Sequence, residues 1–273
     1  MTTFSRTPSP ATLRAWASAW SLDRELDNNL PLGLALRLGA DAPYVAGLTA
    51  PGGGAASGLA TLTALELSLG TVPEAAAEAL VDDLDAAGVD LPGVHGPAAT
   101  SRRVAEAWVK RRGVGARRGM HNNFYGLAEL QPIVRAPSGS WRPATDDDVE
   151  LAAAWFEGFA RDADLPPFEY ADMARHLIDQ GDLVLWLDPA PVSMAALSGR
   201  TPRTARVGYV YTPPDRRGRG YGAAATVAAV ERARATGVSA CCLFADVENG
   251  LTNRLYRRLG FVHRFETVET IFE

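Results

Sequence analysis

A mixed α/β fold in two successive halves is what this 273-residue sequence predicts. Three observations carry the expectation. Runs of strand length, rich in aliphatic, β-branched and aromatic residues, alternate with stretches of helical periodicity along the chain, the pattern of an α/β sheet. Residues 131–145 (QPIVRAPSGSWRPAT) hold three prolines with Ser and Gly, a composition that disfavours regular structure and suits a connection. Residues 207–212 (VGYVYT) stop at Pro213 and Pro214, and a glycine cluster then opens an Ala/Val-rich stretch, giving strand, glycine turn and helix. The division implied is 1–135 and 140–273, and a hydrophobic content of 47% can bury a sizeable core.

In the first half, residues 8–27 read as helix with Leu13, Trp16, Trp20 and Leu26 near one face, and 34–38 as a strand. A Gly-rich turn at 52–54 leads into 58–69, where Leu59, Thr61, Thr63, Leu65, Leu67 and Leu69 alternate as in a half-buried strand. Pro73 opens a helix over 74–87 that ends at Gly88. Residues 91–97 (LPGVHGP) read as a turn before a helix over 98–112, and 123–130 as a further strand.

The second half begins near Ser140. Asp146, Asp147 and Asp148 place negative charge on the first turn of a helix reaching Arg161, complementing its N-terminal dipole. A helix over 170–180, strands at 183–187, 192–198 and 204–211, a helix from Gly220, a strand at 240–245, a helix at 251–259 and a terminal strand follow.

Composition excludes several function classes. The net charge is −5, whereas a nucleic-acid surface needs clustered positive charge. No window approaches the roughly 20 apolar residues of a membrane span, and the first residues lack a secretory pattern, so a cytoplasmic protein is expected. Adjacent Cys241 and Cys242 suit buried strand thiols. His95, His121, His176 and His263 are scattered without metal-ligand spacing, so no metal is expected. Arg111, Arg112, Arg117 and Arg118 flank a helix end and suit a solvated turn.

Arg217, Gly218, Arg219, Gly220, Tyr221 and Gly222 spell RxxGxG. Such a turn offers successive backbone N–H groups, unobstructed by Cβ atoms, at the positive end of a helix, where a phosphate can bind. By itself it is equally a tight strand-to-helix turn. A Walker A loop is excluded because no GK[ST] follows, and a dinucleotide loop because the glycine order differs. The second constellation is DVENGLTNRLYRRLGF at 246–261. Helical spacing puts Asn249, Asn253 and Tyr256 on one polar side and Leu251, Leu255 and Leu259 on a packing side; alone, this is also what a capped amphipathic helix looks like.

Together, RxxGxG preceded by VYTPP, NxxxNxxYxxxGF, and the element order of 140–273 resemble the GNAT acetyltransferases. The resemblance implies acetyl-CoA as co-substrate. It implies that its pyrophosphate lies on Arg217, Gly218, Arg219, Gly220, Tyr221 and Gly222, and that Asn249 and Asn253 reach the pantetheine arm. In that family the strand before the glycine turn splays at a bulge, which assigns the acetyl carbonyl and pantetheine to main-chain groups of Val210 and Thr212. Tyr256 takes the general-acid role, since a phenol can protonate a departing thiolate of similar basicity. Gly250 departs from the proline common in relatives, changing the turn and no polar group. No spacing singles out a general base among Glu169, Asp246, Glu266 and Glu269.

The first half resembles the degenerate half of bacterial tandem GNAT proteins. LPGVHGP occupies a strand-to-helix position comparable with the glycine loop, but Gly93 and Gly96 are spaced too far apart for RxxGxG and Pro97 lacks a donor. The expectation is two GNAT-like domains in tandem, acting as an N-acetyltransferase on the amine of a small-molecule acceptor in a cleft shaped by both halves. A non-catalytic acyl-CoA sensor and a protein-lysine acetyltransferase are the alternatives.

Overall fold

The structure, a computed structural model, describes residues 3–6, 8–50, 54–165 and 169–273. The first half contains β1 (Thr3–Arg6), α1 (Pro10–Ala19), α2 (Leu22–Asp27), α3 (Asn29–Leu38), β2 (Tyr44–Thr49), β3 (Gly58–Leu62), β4 (Leu67–Leu69), α4 (Ala77–Ala86), β5 (Gly93–Pro97), α5 (Ala98–Arg112) and β6 (Ala116–Leu127). The second contains β7 (Ser140–Pro143), α6 (Val149–Asp162), α7 (Tyr170–Asp179), β8 (Leu183–Leu187), β9 (Pro191–Ser198), β10 (Thr204–Tyr211), α8 (Tyr221–Ala235), β11 (Ala240–Asp246), α9 (Gly250–Arg258) and β12 (Phe261–Phe272). Local chemistry sets several ends. Ser9 and Ser21 accept hydrogen bonds from Thr12 N and Arg24 N at the starts of α1 and α2, and Gly113 closes α5 in the left-handed region.

All twelve strands form one sheet in the order β1-β2-β3-β4-β5-β12-β6-β11-β10-β9-β8-β7. Advancing each label by six and reversing the row returns the same row, so the halves are related by a pseudo-twofold axis between β12 and β6. Within each half the fourth and fifth strands are parallel, β4 with β5 and β10 with β11, and the other pairs are antiparallel. The last strand of each half is exchanged: β12 pairs with β5, and β6 pairs with β11. Neither half therefore completes its hydrogen-bond ladder alone.

Four sequence expectations need correcting. Residues 34–38 (LALRL) are the end of α3, because helix formers without branching at Cβ fill it and Leu32 and Ala35 pack under α1 with Leu13 and Trp16. The strand expected over 58–69 is broken by a turn in which the Thr63 hydroxyl accepts from Leu65 N and Glu66 N, leaving Leu65 exposed. LPGVHGP is β5 and no turn: a Cβ on Gly93 would lie 2.8 Å from Thr270 O and one on Gly96 2.6 Å from Leu69 Cβ, so these glycines permit close strand contact. The strand expected over 123–130 starts at Ala116. Of the turn expected at 52–54, only Gly54 lies within the described residues.

The halves are fastened through β10. The fully buried Glu25 carboxylate accepts from Thr201 Oγ1 (2.7 Å), Arg203 N (2.7 Å) and Arg203 Nε (2.6 Å), while Arg203 Nη2 donates to Ala17 O and Trp20 O. Asn29 Nδ2 donates to Gly199 O (2.7 Å) and Thr204 Oγ1 (2.9 Å). One face of the second half's sheet packs on α8 and α9 through Val207, Leu243, Tyr256 and Phe261, and the other on α6 and α7 through Phe156, Leu185 and Met194. Cys241 and Cys242 are buried free thiols, and burial pushes the Cys241 thiol up to about 11. Among the described residues no helix is long and apolar enough to cross a membrane.

Candidate functional site

β10 and β11 are in register only for Thr204–Arg206 against Ala240–Cys242. Beyond those residues the two strands have no pairing, and a wedge opens between them. On its other edge β10 slips against β9 between Gly208 and Tyr211, where Tyr209 adopts φ 51°. A non-glycine residue there carries strain of about 1–3 kcal/mol. Edge contacts of the Tyr209 ring with Phe156 and Phe159 on α6 hold it in place. The bulge therefore lies beside the open wedge, at Val210.

The chain then turns through 212–220 into α8. Gly218 (φ 79°) and Gly220 (φ 87°) occupy the left-handed region that Cβ atoms disfavour, which is why the turn needs glycine at both places. The first hydrogen bond of α8 runs from Ala224 N to Gly220 O, and among the described residues no acceptor meets the amides of residues 218–223. Six successive N–H groups at a helix start, the first three on exposed residues, make an anion cradle. Gly222 faces the wedge: a Cβ on it would lie 3.6 Å from Thr212 Oγ1 and 3.8 Å from Val210 Cγ1.

The side chains of the loop do other work. Arg217 folds back, Nε donating to Thr212 O (2.9 Å) and Nη2 to Asp162. The Tyr221 hydroxyl donates to Asp188, which also accepts from Ser138 Oγ (2.6 Å), and these two bonds hold the Asp188 carboxyl below the usual carboxylate range. Arg219 is exposed, without an ion pair among the described residues, and its charge reaches Tyr221 and Asp188. The Thr212 hydroxyl meets Ser193 Oγ at 2.9 Å, and Ser193 donates to Tyr211 O.

On α9 the expected division holds for Leu255 and Leu259, which pack in the core, and for Asn249, which is exposed, and fails for the other three residues. Asn253 and Tyr256 are buried and Leu251 is 72% exposed, because α9 turns its Asn253–Tyr256 side toward the sheet. Asn249 is the N-cap, accepting from Thr252 N. Asn253 is fully engaged: Oδ1 accepts from Asn123 Nδ2 (2.9 Å) and Tyr125 OH (2.8 Å), and Nδ2 donates to Asp246 O (2.7 Å) and Asn249 O (2.8 Å). Tyr256 packs edge-on against Phe261 in the cluster that contains Ala223 and Ala245 and touches Val210. Its hydroxyl makes no hydrogen bond to another described residue, and burial pushes its pKa up to about 12. The fold thus gathers Val210, Thr212, Gly222 and Tyr256 around one wedge and leaves Asn249 at its exposed rim.

Other residues of the site were missed in the sequence. Asn123 and Tyr125 come from β6, Ser193 from β9 and Asp188 from the turn between β8 and β9. Their partners lie 19 to 130 positions away, beyond any local pattern. The signal that was available is Gly208 followed by Tyr209, a break in an otherwise bulky strand. Of the four acids, Glu266 bonds His121 Nε2 (2.8 Å), Glu269 accepts from Met120 N (2.9 Å) and Asp246 accepts from Glu248 N (2.8 Å).

Comparison with known proteins bears on this geometry. Residues 149–261 match the profile of the acetyltransferase (GNAT) family. Over 203 residues the chain is 29% identical to a mycothiol acetyltransferase of Actinosynnema mirum, a match covering 63% of this chain and 57% of that protein's length. A GCN5-related N-acetyltransferase from Sphaerobacter thermophilus superposes with a TM-score of 0.59 at 18% identity, covering 98% of this chain and 94% of the other. A tandem GNAT protein from the clavulanic acid biosynthesis pathway superposes with a TM-score of 0.54 at 11% identity, covering 100% and 98%. Residues 149–261 belong to the acetyltransferase (GNAT) family, and the chain has the fold of two GNAT-like halves in tandem.

Proposed function

We propose that the chain is an N-acetyltransferase that takes acetyl-CoA into the wedge of its second half, residues 140–273, and acetylates the amine of a small-molecule acceptor. The observation that carries this reading is the run of unpartnered amides at 218–223 beside the unpaired stretch of β10. Those amides, with Arg219, hold the pyrophosphate, while Arg217 and Tyr221 contribute main chain and use their side chains to brace the loop. Main-chain groups of Val210 and Thr212 face the pantetheine arm and the acetyl carbonyl. Asn249 lies at the rim beside that arm, and Asn253 sets the pose of α9. Transfer forms the amide bond as the thioester C–S bond breaks; the Tyr256 phenol, kept neutral by burial, supplies the proton to the leaving thiolate, and the proton the amine loses passes to water and restores the phenol. Residues 1–135 form the degenerate half, which walls the acceptor side. The reaction belongs to the cytoplasm and uses no metal.

Calorimetric titration with acetyl-CoA, followed by detection of free thiol in the presence of a panel of small amines, tests the reading. Binding with amine-dependent thiol release is expected. Binding without turnover on any amine would turn the protein into an acyl-CoA sensor, and absence of binding would leave RxxGxG a structural turn.

A further inference from the structure

Along β10, Ala205 and Val207 point under α8, so Arg206 and Gly208 point to the opposite face. That face is covered by α2 and α3 of the first half and by α6 of the second, on the far side of the sheet from the cofactor loop. Six arginines are half-buried among the described residues. Arg142, Arg200, Arg203 and Arg264 pair with Asp148, Asp182, Glu25 and Asp27, and Arg232 donates to Gly181 O. Arg206 alone of the six has neither a carboxylate nor a main-chain carbonyl as partner among the described residues. Its Nη1 donates to Asn29 Oδ1 (3.2 Å), and its Cζ lies 5.8 Å from the Phe244 ring centroid. The acid whose field reaches it, Glu66, is engaged by Ser68 Oγ (3.1 Å) and His95 Nδ1 (3.5 Å). Desolvation accordingly lowers the Arg206 pKa, and the nearby charge of Arg37 acts in the same direction. An ion taken from water without a counter-ion is costly, so such a group is retained where something pays that cost at another moment.

The guanidinium rests against Gly199, where an added Cβ would lie 2.9 Å from Nη1, and the room is two residues further along the same face: a Cβ on Gly208 would meet only Ser198 Oγ, at 3.7 Å. From Arg206 the strand runs past Gly208 to the bulge at Tyr209 and Val210, roughly 13 Å of extended chain. Resting on the acetyltransferase reading above, we infer that Arg206 is the carboxylate-binding residue of the acceptor site, and that the acceptor is a small amine bearing a carboxylate, an amino acid or its close analogue. A guanidinium fork matches a carboxylate with two parallel hydrogen bonds, and a single net charge suits a carboxylate better than a phosphate dianion. Phe244 lies under the guanidinium as its apolar wall.

The test uses matched probes: the common amino acids and their C-terminal carboxamides, which keep the amine and remove the charge. Binding to the full chain is read by saturation-transfer NMR with and without acetyl-CoA, and kcat/KM is read at saturating acetyl-CoA. At least one amino acid should bind and react roughly tenfold or more better than its carboxamide. Arg206→Met should erase that preference through KM, leaving carboxamide turnover, acetyl-CoA affinity and Tm unchanged. Gly208→Val, which fills the room without touching the guanidinium, keeps the test alive should Arg206→Met fail to fold, and it should weaken both probes. Equal use of acid and amide by the wild type, no amino acid bound at all, or an equal loss for both probes in Arg206→Met would overturn the inference and leave Arg206 a fastening between halves. Failure to bind acetyl-CoA would sink the donor reading alone, because the NMR arm needs no cofactor.

Discussion

The passage from fourth strand into helix is built twice in this chain, and the two versions differ in where their hydrogen bonds go. Between β4 and α4, Thr71 N donates to Asn28 Oδ1, Val72 N to Gly70 O and Ala76 N to Pro73 O, while Val72 O accepts from Thr100 Oγ1. Val72 and Ala76 are buried, and a Cβ on Gly70 would lie 2.0 Å from Asn28 Oδ1, so the space is full. Glu74 adds negative charge where an anion would sit. Between β10 and α8 the amides of 218–223 meet no acceptor among the described residues, and the one acid there, Asp215, is paired with Arg216 and accompanied by Arg217 and Arg219. The flanking helices follow suit: α4 and α5 pack together and are bridged by Arg103–Glu78, Arg111–Asp82 and Arg112–Asp85, whereas α8 and α9 stand apart. One topology thus yields a binding groove or a filled core, depending on whether the turn satisfies its own donors.

Transplanting the feature that closes the first half should break the second. Gly220→Glu puts a carboxylate at the start of α8 and a Cβ at φ 87°. Acetyl-CoA affinity measured by calorimetry should fall on the order of a thousandfold, about 4 kcal/mol. The wild type should titrate with one equivalent per chain; two would mean that the β4–α4 passage also binds and the contrast is false.

The next effect concerns how the halves share one fold. Glu25→Ala leaves Arg203 without its buried partner and should cost about 3 kcal/mol in urea denaturation. Because β6 and β12 are exchanged, the loss should appear as one cooperative transition shifted to lower urea. Two separated transitions would show that the halves fold independently.

Tyr256→Phe sharpens the comparison at the wedge itself. Turnover should drop by about a hundredfold with acetyl-CoA affinity unchanged. The folded phenol is held neutral up to about 12 against an ordinary value of 10. Its contribution to stability is therefore complete below pH 10 and is lost as pH rises from 10 toward 12. The variant should lack that part of the alkaline loss, which thermal melts across this range would read.

The second half was largely legible because its strands are uniform apolar runs bounded by Pro and Gly, and its glycine turn is read directly from residue type. Those strand positions agree with the fold to within about a residue at 183–187, 192–198 and 204–211. The first half was less so. LALRL carries no β-branched residue, and only the packing of Leu32 and Ala35 against α1 reveals the helix. Gly93 and Gly96 read as turn formers, while their actual role, admitting Thr270 O and Leu69, depends on a strand that arrives at the other end of the chain. Strand exchange itself left no local trace, and so neither did the contacts of Asn123 and Tyr125 with α9.

Those contacts give the finest test, between two asparagines four residues apart. Asn249 caps α9 through Thr252 N at the exposed rim, and Asn249→Ala should cost about 1 kcal/mol, the usual loss for an N-cap. Asn253 joins α9 to β6 and to the end of β11 with three hydrogen bonds and donates also to Asn249 O, so Asn253→Ala leaves Asn123 and Tyr125 without their acceptor and should cost about 2 kcal/mol. Under the proposed reading the consequences for the cofactor run the other way. Loss of the rim side chain should raise the acetyl-CoA Kd by a few-fold, because Asn249 is free to meet the pantetheine arm. Asn253→Ala should change Kd only as far as it tilts α9. Paired urea melts and calorimetric titrations of the two variants decide the matter: if Asn253→Ala weakens binding more than Asn249→Ala at equal fold population, the buried asparagine contacts the cofactor directly and its bonds to β6 must open to admit it.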